Sequence, residues 1–175
     1  MNASQLKSYR PVSNLPFLSK LLEIAIYSQL QAFIDANSAS PAHQSAYRKH
    51  HSSQAALIKV YDDLLKDIDN GQMSALSFLD LTAAFDTVDH ELLLARLERT
   101  IGVWCHVLAW LRSYLTGRTY CVIYAGASSA IKEMTCSVPH GSVLGPLLFS
   151  LYTADLADLA AMHGVTLYAF ADDTQ

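Results

Sequence analysis

The sequence lacks the features that direct a chain into a membrane or an oxidising compartment. No apolar run approaches the roughly 20 residues that a membrane-spanning helix needs, and the first residues, MNASQLKSYRP, contain no apolar signal core. Cysteine is scarce: Cys105, Cys121 and Cys136 form no CxxC pair, and any disulfide scheme leaves one of them unpaired. We therefore expect a soluble, intracellular protein with reduced thiols and no membrane partner, in either the nucleus or the cytoplasm.

Linkers and repeats are also missing. No internal repeat, low-complexity tract or Gly/Ser linker divides the 175 residues, and 51% of them are hydrophobic. A chain of this length and composition can fill one compact domain or two closely packed subdomains.

Charge of one sign does not dominate either, because the net charge is only −4. The distribution is uneven: residues 1–60 hold six Lys/Arg and two Asp/Glu, whereas residues 61–175 hold six and fourteen, so that +4 and −8 sum to −4. A basic first third suits contact with phosphates and an acidic remainder suits metal binding, but such asymmetry also occurs in proteins that bind no nucleic acid.

The hydrophobic periodicity predicts five helices. Four cover residues 19–36, 90–101, 104–115 and 146–162, and the other follows Ser52-Ser53 and stops at Asn70-Gly71. Most of them end at a glycine or asparagine. Gly102 ends the helix at 90–101 and Gly117 ends the helix at 104–115, and these two helices are predicted to form a helical hairpin that covers one face of a sheet. The inward faces of the first two helices are predicted to carry Leu22, Ile26, Leu30 and Phe33, and Leu57, Val60, Tyr61, Leu64 and Ile68.

Four short apolar segments predict strands, at residues 73–81, 119–124, 131–138 and 165–171. The first and the last are expected to be buried. The order of the elements favours an α+β fold, with a largely antiparallel sheet backed by helices.

Two of these strands end in acids. Asp80 closes SFLD, and Asp172 with Asp173 closes LYAFADD. A buried carboxylate is costly unless it is paired, hydrogen-bonded or bound to a cation, and acids from neighbouring strands form a site for divalent metals. Acids that merely begin a solvated loop give the same pattern, so the spacing alone leaves both interpretations open.

Five motifs in order carry a resemblance to a known family. They are YRPVSNLPFLSKLLE, HQSAYRKHHSSQAAL, FLDLTAAFDTVDH, VPHGSVLGPLLF and FADD, and together they extend from about Tyr9 to the end of the chain. The chain resembles the reverse transcriptases of non-long-terminal-repeat (LINE-type) retrotransposons. Five motifs in the expected order are specific, whereas FADD alone is weak.

The resemblance implies an RNA-directed DNA polymerase that joins deoxynucleotides to a primer on an RNA or DNA template, with two Mg²⁺ ions, or Mn²⁺ in their place. By similarity, Asp80, Asp172 and Asp173 are the catalytic, metal-binding acids, and the carbonyl of Leu81 adds a ligand. Two ions about 3.5–4 Å apart activate the primer hydroxyl and neutralise the leaving pyrophosphate.

Five further positions match nucleotide-binding residues of the family. Phe85 matches the aromatic residue that excludes a 2′-hydroxyl, and core packing is its alternative role. His140 and Gly141 match a Pro-Gln-Gly corner, with His where Gln is usual; an ordinary surface turn is the alternative. Arg10 and Arg48 match basic residues that clasp the triphosphate, and solvated loop charges are the alternative.

The resemblance also divides the chain into a partial fingers region at residues 1–72 and a palm at residues 73–175. We expect the thumb and part of the catalytic hairpin to be missing, and we therefore expect the isolated chain to be an inactive piece of a longer polyprotein. A non-catalytic retrotransposon-derived remnant that binds nucleic acid or a protein partner is the alternative.

Overall fold

The structure is a computed structural model that describes residues 13–37, 39, 52–81, 83–170 and 173–174, without the side chains at positions 80, 173 and 174. Arg10, Arg48 and Asp172 therefore lie outside the described residues. None of the helices in the described part combines the length and the apolar composition that crossing a bilayer requires.

Six α-helices account for most of the regular structure of the described residues. They are α1 (Phe17–Ala36), α2 (Ser53–Asp69), α3 (His90–Arg96), α4 (Cys105–Leu115), α5 (Gly145–Tyr152) and α6 (Asp155–Met162). Side-chain caps begin two of them, since Ser52 accepts the amide proton of Ala55 at α2 and Asp89 accepts that of Leu92 at α3. A π-helical turn, Leu97–Ile101, prolongs α3 until Gly102 ends it at φ +79°.

The strands are short and pair antiparallel throughout. They are β1 (Leu79–Asp80), β2 (Thr119–Tyr120), β3 (Ile123–Tyr124), β4 (Ala127–Ser128), β5 (Lys132–Glu133), β6 (Ala169–Phe170) and β7 (Asp173–Thr174). Three small sheets result, in the orders β1-β7-β6, β2-β5 and β3-β4. The predicted combination of helices with antiparallel strands is confirmed.

The hydrophobic core is centred on α5. Six of its eight residues are buried, as expected for a helix that is apolar on all sides. The buried side chains around it come from α1, the turn before α3, α3 with its π-helical turn, α4 and the segment before α5; they include Leu30, Ile34, Val88, Leu93, Leu97, Leu111, Leu115 and Val138. Helix-on-helix packing therefore holds the core, and the helical hairpin of α3 and α4 packs into this cluster.

Two predicted helix faces are confirmed at Leu30 and Val60, which are buried, and are wrong at other positions. In α1 the buried residues are Glu23, Leu30 and Ile34, whereas Leu22 and Phe33 are exposed, because the helix is rotated by about one residue relative to the predicted stripe. In α2 only Val60 is buried. Leu57, Tyr61 and Ile68 are exposed, because no described segment covers that face.

Several predicted boundaries also need correction. The strand at 73–81 shrinks to Leu79–Asp80 and is exposed, with Met73 fully accessible. The helix at 146–162 is broken by a turn at Thr153 and Ala154 into α5 and α6.

The remaining predicted strands also contract. That at 119–124 becomes β2 and β3, and that at 131–138 becomes β5, while β4 lies in the segment between them, for which the sequence predicts a turn. That at 165–171 becomes β6, with Val165 exposed. Each of these strands pairs with its partner over two residues only, and the ladder of hydrogen bonds does not extend further.

Candidate active site

Two of the predicted catalytic acids occupy opposite positions in one small sheet. β1 pairs with β7, and the register places Asp80 opposite Asp173 and Leu79 opposite Thr174. Cα atoms of directly opposed residues in antiparallel strands lie about 4.5–5.5 Å apart. Two segments that are 93 positions apart in the sequence therefore meet at the acids.

A tight turn follows β1 and carries the next part of the site. Ala83 adopts a left-handed conformation (φ 54°), and Ala84–Thr87 then form a 3-10 turn. The carbonyl oxygen of Leu81, a predicted metal ligand, accepts the amide proton of Ala84 at 3.1 Å. Because a carbonyl oxygen has two lone pairs, this bond leaves one for a metal ion.

The segment before α5 is bonded directly to this turn. The amide groups of Ser137 and Val138 donate to the carbonyl oxygens of Val88 (2.8 Å) and Phe85 (2.9 Å). The buried ring of His90 contacts the carbonyl oxygen of Ser137 through Nε2 at 2.7 Å. The two central motifs of the sequence therefore form a single hydrogen-bonded unit.

Phe85, Asp86 and His140 form a cluster on this unit. The ring of Phe85 lies 5.6 Å from that of His140 at an angle of 49°, and stacks on the core residue Phe149 at 5.0 Å. His140 Nε2 lies 2.8 Å from Asp86 Oδ1. Gly141 follows with φ +78°, a conformation that favours glycine. Three of the predicted nucleotide-binding residues, Phe85, His140 and Gly141, are thus brought together.

A buried acid of α1 supports the turn that carries His140 and Gly141. Glu23 is 1% exposed, and its Oε2 accepts the amide protons of Val143 (2.6 Å) and Leu144 (3.3 Å). These amides precede α5, where the helix dipole also favours an anion. Glu23 therefore joins α1 to the predicted nucleotide-binding turn.

The space beside this contact is tightly filled. A Cβ atom on Gly145 would lie 2.6 Å from the Oγ of Ser142 and 3.2 Å from the carbonyl oxygen of Pro139. The hydroxyl of Tyr114 is buried and makes no hydrogen bond to the described residues. Burial, with the negative charge of Glu23 adding to it, raises the pKa of Tyr114 to about 12. The turn is thus seated in a closely packed, desolvated environment.

Sequence reasoning missed two residues of this site. Asp86 follows Phe85 directly, and its partnership with His140 spans 54 positions, which no periodicity shows. Glu23 could have been found, because it stands seven and eleven positions before the buried residues Leu30 and Ile34, on the same side of a helix.

The predicted metal ligands are three acids and one backbone carbonyl. The side chains of Asp80, Asp172 and Asp173 are outside the described part of the structure, and the rest of the described chain contains no other group of three His, Cys, Asp or Glu residues that could hold a metal ion. Asp80 and Asp173 fit such a group through their opposed backbone positions.

Helices combined with small antiparallel sheets, and acids on two adjacent strands, are consistent with the palm of a polymerase. The family model described as "Reverse transcriptase (RNA-dependent DNA polymerase)" matches residues 2–175. The chain therefore belongs to the reverse transcriptase family, as its motifs predict.

Similar curated proteins come from retrotransposons of flies. The chain is 35% identical over 168 residues to "Probable RNA-directed DNA polymerase from transposon X-element" of Drosophila melanogaster, with 95% of this chain and 18% of the relative covered. It is 34% identical over 172 residues to "RNA-directed DNA polymerase from mobile element jockey" and to "Probable RNA-directed DNA polymerase from transposon BS", both of the same species. Each of these two alignments covers 95% of this chain and 19% of the relative. The chain thus spans about a fifth of the length of these relatives, and its LINE-type affiliation is confirmed.

Proposed function

We propose that the chain provides the polymerising centre of an RNA-directed DNA polymerase, which transfers a nucleotide from a deoxynucleoside triphosphate to the 3′-hydroxyl of a DNA primer on an RNA or DNA template. The observation that carries the proposal is the pairing of β1 with β7, which sets Asp80 opposite Asp173. Residues 85–90 follow shortly after β1 in the chain, and hydrogen bonds join them to residues 137–140. The proposed positions of the metal ions and of the nucleotide therefore lie on β1, on the chain that follows β1, and on the segment that is hydrogen-bonded to that chain.

The acids Asp80, Asp172 and Asp173, with the Leu81 carbonyl, are proposed to hold two divalent ions, Mg²⁺ or Mn²⁺. Carboxylate and carbonyl oxygens are the ligands that these hard cations prefer. When bound, such ions lower the pKa of an attacking hydroxyl and neutralise charge on the leaving group. The residues themselves contribute positioning, which is most of what phosphoryl transfer requires.

The nucleotide is proposed to lie against Phe85, His140 and Gly141, with Arg10 and Arg48 on its triphosphate. Phe85 is half-buried, and its packing on Phe149 fixes the ring. A fixed aromatic ring can exclude a 2′-hydroxyl by contact, which a mobile ring cannot do. Residues 1–72 and 73–175 are proposed as fingers and palm.

Primer extension on an RNA template tests the proposal, with the 175-residue chain assayed beside a form that continues through a thumb. Asp80→Asn and Asp172→Asn are expected to abolish extension, and chelation of Mg²⁺ to do the same. Asp62→Asn, on the exposed side of α2, is the matched control that keeps activity. Extension by the longer form alone identifies this chain as a fragment, whereas extension by neither form identifies a non-catalytic remnant.

Metal binding gives a readout that does not depend on activity. Calorimetric titration of the chain with Mn²⁺ is expected to show binding. Asp80→Asn and Asp173→Asn should weaken this binding, and Asp62→Asn should leave it unchanged. Equal Mn²⁺ affinity in all of these variants would contradict the proposed metal site.

A further inference from the structure

We propose that Asp86 is a positioning residue for the nucleotide: its carboxylate fixes the ring of His140 so that the second ring nitrogen faces a deoxynucleoside triphosphate. The inference rests on the proposed function and extends it to a residue outside the predicted site. Asp86 Oδ1 and His140 Nε2 are 2.8 Å apart, which is a direct hydrogen bond.

The chemistry of the pair determines which ring nitrogen is left for a ligand. An ionised carboxylate only accepts hydrogen bonds, so the proton of this bond belongs to Nε2 of His140. Nδ1 makes no hydrogen bond to any described residue. The neutral ring therefore offers Nδ1 as an acceptor, and the protonated ring offers it as a donor. Asp86 thus sets the tautomer as well as the direction of the ring.

Asp86 is itself held in place, which a positioning residue requires. Its amide group donates to the carbonyl oxygen of Ala83 at 2.8 Å, within the 3-10 turn after β1. Its carbonyl oxygen accepts a hydrogen bond from Sγ of Cys136 at 3.2 Å. Because the backbone is bonded on both sides, the carboxylate starts from a restricted position.

His140 is restrained from its own side as well. Its carbonyl oxygen accepts the amide proton of Ser13 at 3.3 Å, and its ring tilts against the half-buried ring of Phe85. Joining two restrained groups costs little conformational entropy, so the pair can hold a single geometry. The side chain of His140 is 28% exposed and that of Asp86 is 45% exposed, which leaves the ring accessible to a ligand.

A surface ion pair without a role in binding predicts a different result. Exposed ion pairs contribute little to stability, so loss of Asp86 would then leave the fold and the nucleotide affinity unchanged. Removing a negative charge near a triphosphate would even tighten binding, because like charges repel. The positioning role predicts weaker binding, so the two interpretations differ in sign.

Calorimetric titration of the 175-residue chain with dTTP in the presence of Mg²⁺ measures whether replacing Asp86 weakens or tightens nucleotide binding. Asp86→Ala is expected to raise the Kd about five- to tenfold, the effect of losing about one ordinary hydrogen bond. Asp86→Asn is expected to recover most of the affinity, because the amide oxygen still accepts the Nε2 proton. Asp62→Ala removes an exposed, ion-paired carboxylate of α2 and serves as the control with unchanged Kd.

A double-mutant cycle separates action through His140 from direct action. In a His140→Ala background, Asp86→Ala is expected to have no further effect on the Kd. Independent effects of the two substitutions, or an Asp86→Ala chain that binds dTTP as tightly as the unaltered chain, would overturn the positioning role alone. If the unaltered chain binds no dTTP, the positioning role falls, whereas the proposed function is decided separately by primer extension with the longer form. Circular dichroism checks that each variant folds, and Asp86→Asn provides the comparison should Asp86→Ala unfold.

Discussion

Phe85 stands between the core and the candidate site. Its ring stacks on that of Phe149, a residue that is 2% exposed, and its centroid lies 5.6 Å from that of the His140 ring. The sequence left core packing and contact with a ligand as alternative roles for Phe85. The structure makes the two roles compatible, because packing on Phe149 fixes the ring that a ligand would contact.

We expect Phe85→Ala to relax sugar discrimination in a form of the protein that extends primers. The small side chain leaves room for a 2′-hydroxyl, so the ratio of kcat/KM for deoxynucleotides to that for ribonucleotides should fall at least about tenfold. Phe85→Tyr keeps the bulk of the ring and is the matched control, with a ratio close to that of the unaltered protein. Steady-state primer extension measures both, and an unchanged ratio in Phe85→Ala would assign the ring to packing alone.

At the scale of elements, α1 reaches the candidate site through a single buried acid. Glu23 accepts two amide protons from Val143 and Leu144, directly before α5, which lies in the middle of the core. Neither amide can reach another partner inside the helix, because the first amide groups of a helix have none. Glu23 therefore supplies part of the cap that α5 lacks at its own Leu144.

Glu23→Ala is expected to destabilise the fold by about 2–4 kcal/mol, because it leaves the buried amide of Leu144 and the partly buried amide of Val143 without an acceptor. Glu23→Gln should cost less, about 1–2 kcal/mol, since the amide oxygen still accepts while the charge is lost. The midpoint of urea unfolding measures the loss. Glu98→Ala, at an exposed position of the π-helical turn, is the control with a change within about 0.5 kcal/mol. Equal midpoints for Glu23→Ala and Glu98→Ala would show that the contact adds nothing.

Long helices could be predicted from the sequence better than any other element. The starts of α2 and α3 follow from capping residues, and Gly102 marks a helix end by its need for a positive φ. The division between α5 and α6 could not be predicted, because Thr153 and Ala154 include neither Gly nor Pro. The strands were overextended, since a two-residue ladder is too short to leave a period in the sequence.

In the candidate site, too, features that depend on adjacent residues could be predicted from the sequence, and features that depend on residues far apart in the sequence could not. The acids Asp80 and Asp173 and the turn at Gly141 could be located from motifs, because each depends on a few adjacent residues. The bond between Asp86 and His140 could not, since it depends on how two segments 54 positions apart are joined. The apolar face of α2 was visible in the periodicity, but a period does not show what covers a face.

Over the whole molecule, charge distinguishes a first region, residues 1–60, from an acidic region, residues 61–175, and the boundary between them lies inside the proposed fingers. Residues 1–60 carry +4 and residues 61–175 carry −8. A template and primer are polyanions, so the acidic part repels them unless metal ions reduce its charge. Affinity for nucleic acid therefore has to come mainly from Lys and Arg of the first region.

This separation predicts how salt affects binding to an RNA–DNA primer–template. The logarithm of the binding constant should fall linearly with the logarithm of the salt concentration, with a slope of about −0.7 to −0.9 for each phosphate neutralised. The triple substitution of Arg10, Arg48 and Lys49 by Gln should make the slope shallower by about 2 to 3, because three phosphate contacts are lost. Lys132→Gln, in the exposed β5 of the acidic region, should leave the slope unchanged. Fluorescence anisotropy at several salt concentrations gives both slopes. If Lys132→Gln makes the slope shallower by as much per removed charge as the triple substitution does, the three basic residues of the first region do not contact phosphate more than Lys132 does.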